Sequence, residues 1–190
     1  MKSIKANPSL ISIVEKLNHL NLDPIKIKLM DQVEGEGWTK SQADKADLMY
    51  RRFLYLTAKY PDAVIVPNKV IDKVWHSHIL DTRKYREDCE YVFGYFVHHF
   101  PYLGMRGDDD AQLLCASFDE TMNLYLAEFG ELAFDKEEFD SSTCNSQGNC
   151  WPEKCSSKCN VKKSIDNSRP SFAEDFQPVN IFEGSFELVT

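Results

Sequence analysis

No apolar run in this chain approaches the ~20 residues that a membrane-spanning helix requires, so no membrane partner is expected. A signal-peptide core is missing as well, because the apolar residues after Pro8 are interrupted by Glu15, Lys16 and Asn18. Basic excess is also lacking: 22 Lys and Arg stand against 30 Asp and Glu, for a formal net charge of -8. Without a basic face to neutralise phosphates, nucleic acid is not an expected partner. These absences point to a cytoplasmic protein. There the six cysteines should be thiols, metal ligands or transient disulfides.

What is present is an ordinary core-forming composition, 43% apolar and 12% aromatic over 190 residues. That supports one domain with an appendage rather than two domains. Helical periodicity dominates residues 1–131, and no internal repeat is visible. Leu10, Ile13, Val14, Leu17 and Leu20 recur at helical spacing, and Pro24 opens a second short helix that Gly35 and Gly37 break. Thr39-Lys40-Ser41-Gln42 reads as a capping box. The helix behind it should run to about Lys59 and end at Pro61. On it Ala46, Met49, Tyr50, Phe53, Leu54 and Thr57 form one stripe, with Asp44, Lys45, Asp47, Arg51 and Arg52 largely on the other side.

Ala63-Val64-Ile65-Val66 suits a strand or a buried loop. Residues 68–80 and 82–99 read as two consecutive helices or one bent helix, ending before Pro101. A last helix spans about Ala111 to Phe129 and stops at Gly130. The expected fold is therefore mainly α, a compact bundle of five to six helices. Residues 132–190 read as an irregular, acidic, Cys-bearing tail. Its Phe172, Phe176, Phe182 and Phe186 imply that it packs back on the helices, and Phe186-Glu187-Leu188-Val189 suits a terminal strand.

Chemistry concentrates in one place. Four of the five histidines lie between His76 and His99. At about 100° per residue, Ile71, Val74, Trp75 and His78 share one apolar stripe, while Asp72 and His76 lie together on its flank. His76 and His78 are therefore roughly 200° apart and share a metal only if the helix is broken. A lone histidine in an apolar stripe is more often a satisfied core group than a ligand. Asp72 and His76, four residues apart, form either a surface pair or two ligands to one cation.

On the following helix Tyr85, Cys89, Val92, Phe96 and His99 make an inward stripe. Ten residues at ~1.5 Å rise separate Cys89 from His99 by ~15 Å, which prevents them from sharing a metal. His99 is placed to meet a histidine of the preceding helix, whereas His98 suits stacking or capping. A site drawn from Asp72, His76, His78, His98 and His99 supplies the mixed nitrogen and oxygen set that suits zinc or non-haem iron. Cys144, Cys150, Cys155 and Cys159 lack paired Cys-x-x-Cys knuckles and so signal metal only weakly. Cys115, beside Leu113 and Leu114, reads as a small core hydrophobe.

The run Ile71-Asp72-Lys73-Val74-Trp75-His76-Ser77-His78-Ile79-Leu80-Asp81-Thr82, then Tyr85, Asp88-Cys89, Phe93-Gly94 and His98-His99-Phe100-Pro101-Tyr102, resembles the glycine-rich domain-containing protein family. The resemblance covers roughly residues 25–130 and implies a compact helical domain organised around two histidine elements. This chain departs from it in having only eight glycines and no glycine-rich region.

The expected function is that of a metal-binding protein, an oxidoreductase or hydrolase using iron or zinc on a small molecule or peptide. In it Tyr85 or Arg86 orients the substrate and Trp75 walls the site from water. The alternative is a non-enzymatic interaction or regulatory module whose histidines form a structural hydrogen-bond network. A third reading is metal storage or redox sensing through the tail cysteines.

Overall fold

A computed structural model describes residues 10–131, Pro170, Phe172 and residues 176–182. Its regular structure is entirely helical among the described residues: α1 (Leu10–Asn18), α2 (Asp23–Met30), α3 (Lys40–Lys59), α4 (Lys69–Leu80), α5 (Thr82–Phe93) and α6 (Asp108–Phe129). None of these helices is long and apolar enough to cross a membrane.

α3 is the axis of the bundle, packed against α1, α2, α4 and α6. The capping box fixes its start. Gln42 N–H donates to the Thr39 hydroxyl at 3.3 Å, and the Gln42 side chain accepts from Thr39 N–H at 2.9 Å. Surrounded in this way, α3 buries more than its apolar stripe. Asp47, Arg51 and Arg52 were expected largely on its outer side, and all three are buried.

Their charges are tolerated because every one is answered. Arg51 pairs with Asp47 at 2.7 Å and donates to the carbonyls of Leu17 and Leu20, the latter at 2.7 Å, capping the end of α1. Arg52 binds Glu131, reaches the Tyr125 hydroxyl at 3.4 Å and lies over the Phe129 ring.

α4 begins at Asn68, whose side chain accepts from Ile71 N–H at 2.9 Å. It is joined to α5 through Asp81 alone, which ends one helix and caps the next by accepting from Lys84 N–H at 3.2 Å. α5 stops at Phe93, six residues short of the end that the sequence pattern suggested. Gly94 takes the left-handed conformation, with φ of 73°, that terminates helices. Residues 95–99 are irregular and carry no helix.

α6 starts three residues earlier than expected, with Asp108, Asp109 and Asp110 favourably placed in its first turn. Residues 63–66 form a loop rather than a strand, and Val66 N–H is satisfied by the Thr121 hydroxyl at 2.9 Å. Cys115 is exposed, not a core residue. The buried stripe of α6 runs through Ser117, Thr121 and Tyr125, and Cys115 lies two positions off it, on the far side of the helix.

Part of the C-terminal region completes the core. Ile181 is fully buried. Its N–H donates to the Asn18 side chain at 3.2 Å, its carbonyl accepts from Arg52 Nε at 2.6 Å, and Val179 N–H donates to the Asn18 carbonyl at 2.9 Å. Phe182 lies edge-on to Tyr55 at 5.3 Å and beside Phe129 at 5.5 Å. Cys144, Cys150, Cys155, Cys159 and the Phe186–Val189 segment fall outside the described residues.

Candidate metal centre

Asp72 and His76 project one above the other from α4, one helical turn apart. The irregular segment after Gly94 runs back beside α4 and brings His99 onto them. His99 Nε2 donates to Asp72 Oδ1 at 3.2 Å, and His76 Nε2 lies 3.7 Å from the same oxygen. The two imidazole rings stand 4.8 Å apart, centre to centre. One donor atom from each residue can be chosen so that all three lie within 4.8 Å of one another.

Bonds of about 2.0–2.2 Å to a tetrahedral ion set ligand atoms about 3.4 Å apart. The observed set, with donor atoms up to 4.8 Å apart, therefore needs to close by about 1.4 Å at its widest. That is within reach of side-chain rotation, since the His76 side chain is 53% exposed. His99 is held more firmly. Its side chain is only 16% exposed and meets the Trp75 indole edge-on at 4.5 Å.

His78 belongs to a different environment. It is buried between α3 and α5, with Nδ1 at 3.1 Å from the Tyr50 hydroxyl and Nε2 at 2.9 Å from Asp88 Oδ2. A carboxylate only accepts, so Nε2 carries the hydrogen and Nδ1 accepts from Tyr50. Burial holds the His78 pKa below its ordinary value despite the nearby Asp88 charge. Lys84 absorbs much of that charge, pairing with Asp88 at 2.8 Å. The ring is thus a neutral, doubly bonded core group.

His98 is exposed and lies against the Phe96 ring at 4.9 Å, outside the Asp72, His76 and His99 group. Adjacent residues of a non-helical segment point to opposite sides, which separates His98 from His99. Tyr85 is buried, with its hydroxyl accepting from Trp75 Nε1 at 2.9 Å and donating to the Val97 carbonyl at 2.5 Å. Arg86 is exposed on the outer face of α5, lining a surface hollow with Glu87, Glu90 and Tyr91.

Sequence reasoning did not identify Asp88 or Tyr50 as the partners of His78. The i,i+10 spacing of His78 and Asp88 across a helix-helix corner carries no periodic signal. Nor did it find the link from Tyr85 to the backbone of Val97, which depends on where α5 stops.

A family model described as UCP032817-like matches residues 17–116, a span that contains the whole Asp72, His76 and His99 group. No curated protein and no solved structure is significantly similar to the chain.

Proposed function

The chain belongs to the UCP032817-like family, and from the geometry of its histidine group we propose that it is a metal-dependent enzyme with a single iron(II) or zinc ion held by Asp72, His76 and His99. The observation that carries this reading is that two imidazoles and one carboxylate, from α4 and from the irregular segment beyond α5, bring donor atoms within 4.8 Å of one another. Two imidazoles and one carboxylate with open positions are a donor set suited to non-haem iron(II), and the same set with a bound water serves zinc-dependent hydrolysis.

In the metal-free arrangement the His99 Nε2–H bonds to Asp72. A bound ion would take the Nε2 lone pair of the neutral tautomer that carries its hydrogen on Nδ1, so the contact with Asp72 already holds the ring facing the position that the ion would occupy. The partial exposure of Asp72 and His76 leaves the remaining coordination positions open to a small molecule or peptide. Trp75 backs the site from the core side. The Trp-His-x-His element is read here as the one that glycine-rich domain-containing proteins carry, with its first histidine as ligand and its second as a core residue.

The test is elemental analysis of protein purified without added metal and after anaerobic reconstitution with iron(II), and separately with zinc. Near-stoichiometric metal that is lost in a folded His76→Ala, His99→Ala double variant supports the proposal. No uptake of either ion refutes it. It would leave a non-enzymatic interaction module, a reading that the purely structural bonding of His78 favours.

A further inference from the structure

We infer that Tyr85 is a positioning residue for the metal centre: its hydroxyl ties both the indole on which His99 rests and the backbone that carries His99 to a single buried oxygen. The inference rests on the reading of Asp72, His76 and His99 as ligands.

Two of the three ligands need no further support, because Asp72 and His76 are set by the helix that bears them. His99 has no such frame. It follows the stop at Gly94 in a segment without regular structure. Besides the His99 bond to Asp72, that segment is anchored at Val97, a buried residue two positions before His99 whose backbone also bonds to Cys89 and whose carbonyl accepts from the Tyr85 hydroxyl at 2.5 Å. The same oxygen accepts the Trp75 Nε1 hydrogen at 2.9 Å. Trp75 in turn presents its ring to the His99 imidazole at 4.5 Å. α4, α5 and the irregular segment are thereby joined at one atom, and His99 is located by both arms of the junction.

Tyr85 is suited to this task and to little else. It is 2% exposed, its ring is enclosed edge-on by His78 at 5.0 Å and Phe96 at 5.1 Å, and burial pushes its phenol well above the ordinary value, so it stays a donor. With its proton given to Val97 and a lone pair taken by Trp75, it is not free to bind substrate. Phenylalanine in its place would preserve the ring contacts and leave an indole N–H and a carbonyl unpartnered inside the protein.

The experiment compares wild type, Tyr85→Phe and Tyr50→Phe. Tyr50 is a control of matched burial, because its hydroxyl serves His78 rather than the His99 segment. Zinc affinity is measured by calorimetry at a temperature where each variant is folded, and the His99 ring-proton shifts are measured by NMR without metal. In the wild type those shifts are displaced by the Trp75 ring current.

Tyr85→Phe should weaken zinc about 10- to 100-fold, the usual cost of losing a hydrogen bond that orients a ligand. It should also move the His99 shifts toward free-histidine values, while Tyr50→Phe leaves both readouts near wild type. Equal zinc affinity and unchanged His99 shifts in Tyr85→Phe would overturn the inference. If wild type takes up neither zinc nor, anaerobically, iron(II), the metal reading fails, but the metal-free shifts still decide whether Tyr85 places His99. Should Tyr85→Phe not fold, Trp75→Phe removes the indole donor from the other side of the junction. Undiminished zinc affinity there would equally overturn it.

Discussion

His78 and Asp88 meet at 2.9 Å across the corner between α4 and α5, and the same carboxylate oxygen takes the Lys84 ammonium at 2.8 Å. The contact locks two helices together and holds His78, the second histidine of the Trp-His-x-His element, away from the proposed Asp72, His76 and His99 site. It also makes the fold sensitive to acid.

Burial lowers the pKa of His78 from the ordinary 6.5, so the unfolded chain binds this proton more readily than the folded one. The contribution of a neutral His78 is complete above 6.5 and is lost as pH falls from there toward the folded-state pKa. Thermal midpoints of wild type should therefore decline between pH 6.5 and pH 5.5 more steeply than those of His78→Gln, whose amide does not titrate. Parallel declines would show that the imidazole is not the group responsible.

Replacement of each of the two adjacent histidines offers a sharp contrast at the proposed metal site. Zinc affinity should fall by more than about 100-fold in His99→Ala, beyond what loss of a supporting hydrogen bond costs. In His98→Ala, which loses only a contact with Phe96, it should stay within about twofold. Calorimetric titration of both folded variants decides the matter, and comparable losses would count against the assignment.

Gly35 should tolerate no side chain. A Cβ placed there would lie 2.0 Å from the Lys28 carbonyl oxygen and 2.8 Å from that of Asp31, both backbone atoms at the end of α2. Gly35→Ala is expected to cost about 3 kcal/mol, the upper end of ordinary overpacking, in urea denaturation. A loss under about 0.5 kcal/mol, the scale of a neutral surface change, would mean that the turn is readily rebuilt.

The helices were legible because their punctuation is chemical. Thr39 with Gln42, Asn68, Pro61 and Gly130 mark ends that any tertiary context would respect. Gly94 was equally visible, yet the continued spacing of Phe96 and His99 outweighed it, since an apolar pattern persists by chance over one further turn. Arg51, Arg52 and Asp47 were misplaced for a different reason. Whether a charged stripe faces water depends on how many helices surround α3, and periodicity does not report that number.

At the centre itself, the pairing of Asp72 with His76 and the opposed direction of His78 both followed from helical angles alone. The meeting of His99 with a histidine of the preceding helix was also expected, but by antiparallel packing of a helix running to His99, whereas His99 comes to His76 on the irregular segment after Gly94.

Ile181 supplies a stability test remote from the proposed metal site. It is fully buried against the α1, α3 and α6 layer, and Ile181→Ala should destabilise the protein by about 2–5 kcal/mol. Zinc affinity of the folded variant should not change, because the residue lies among Asn18, Arg52 and Phe129 and not beside α4. A near-neutral unfolding free energy would show that the segment contributes little to the core.

That same burial sets an order of events during synthesis. All six helices are encoded before Gly130, whereas the Glu131 carboxylate and the Ile181 carbonyl that accept from the Arg52 guanidinium are added later. Until Ile181 has been added, the Arg52 guanidinium is therefore without one of the acceptors that it has in the complete fold.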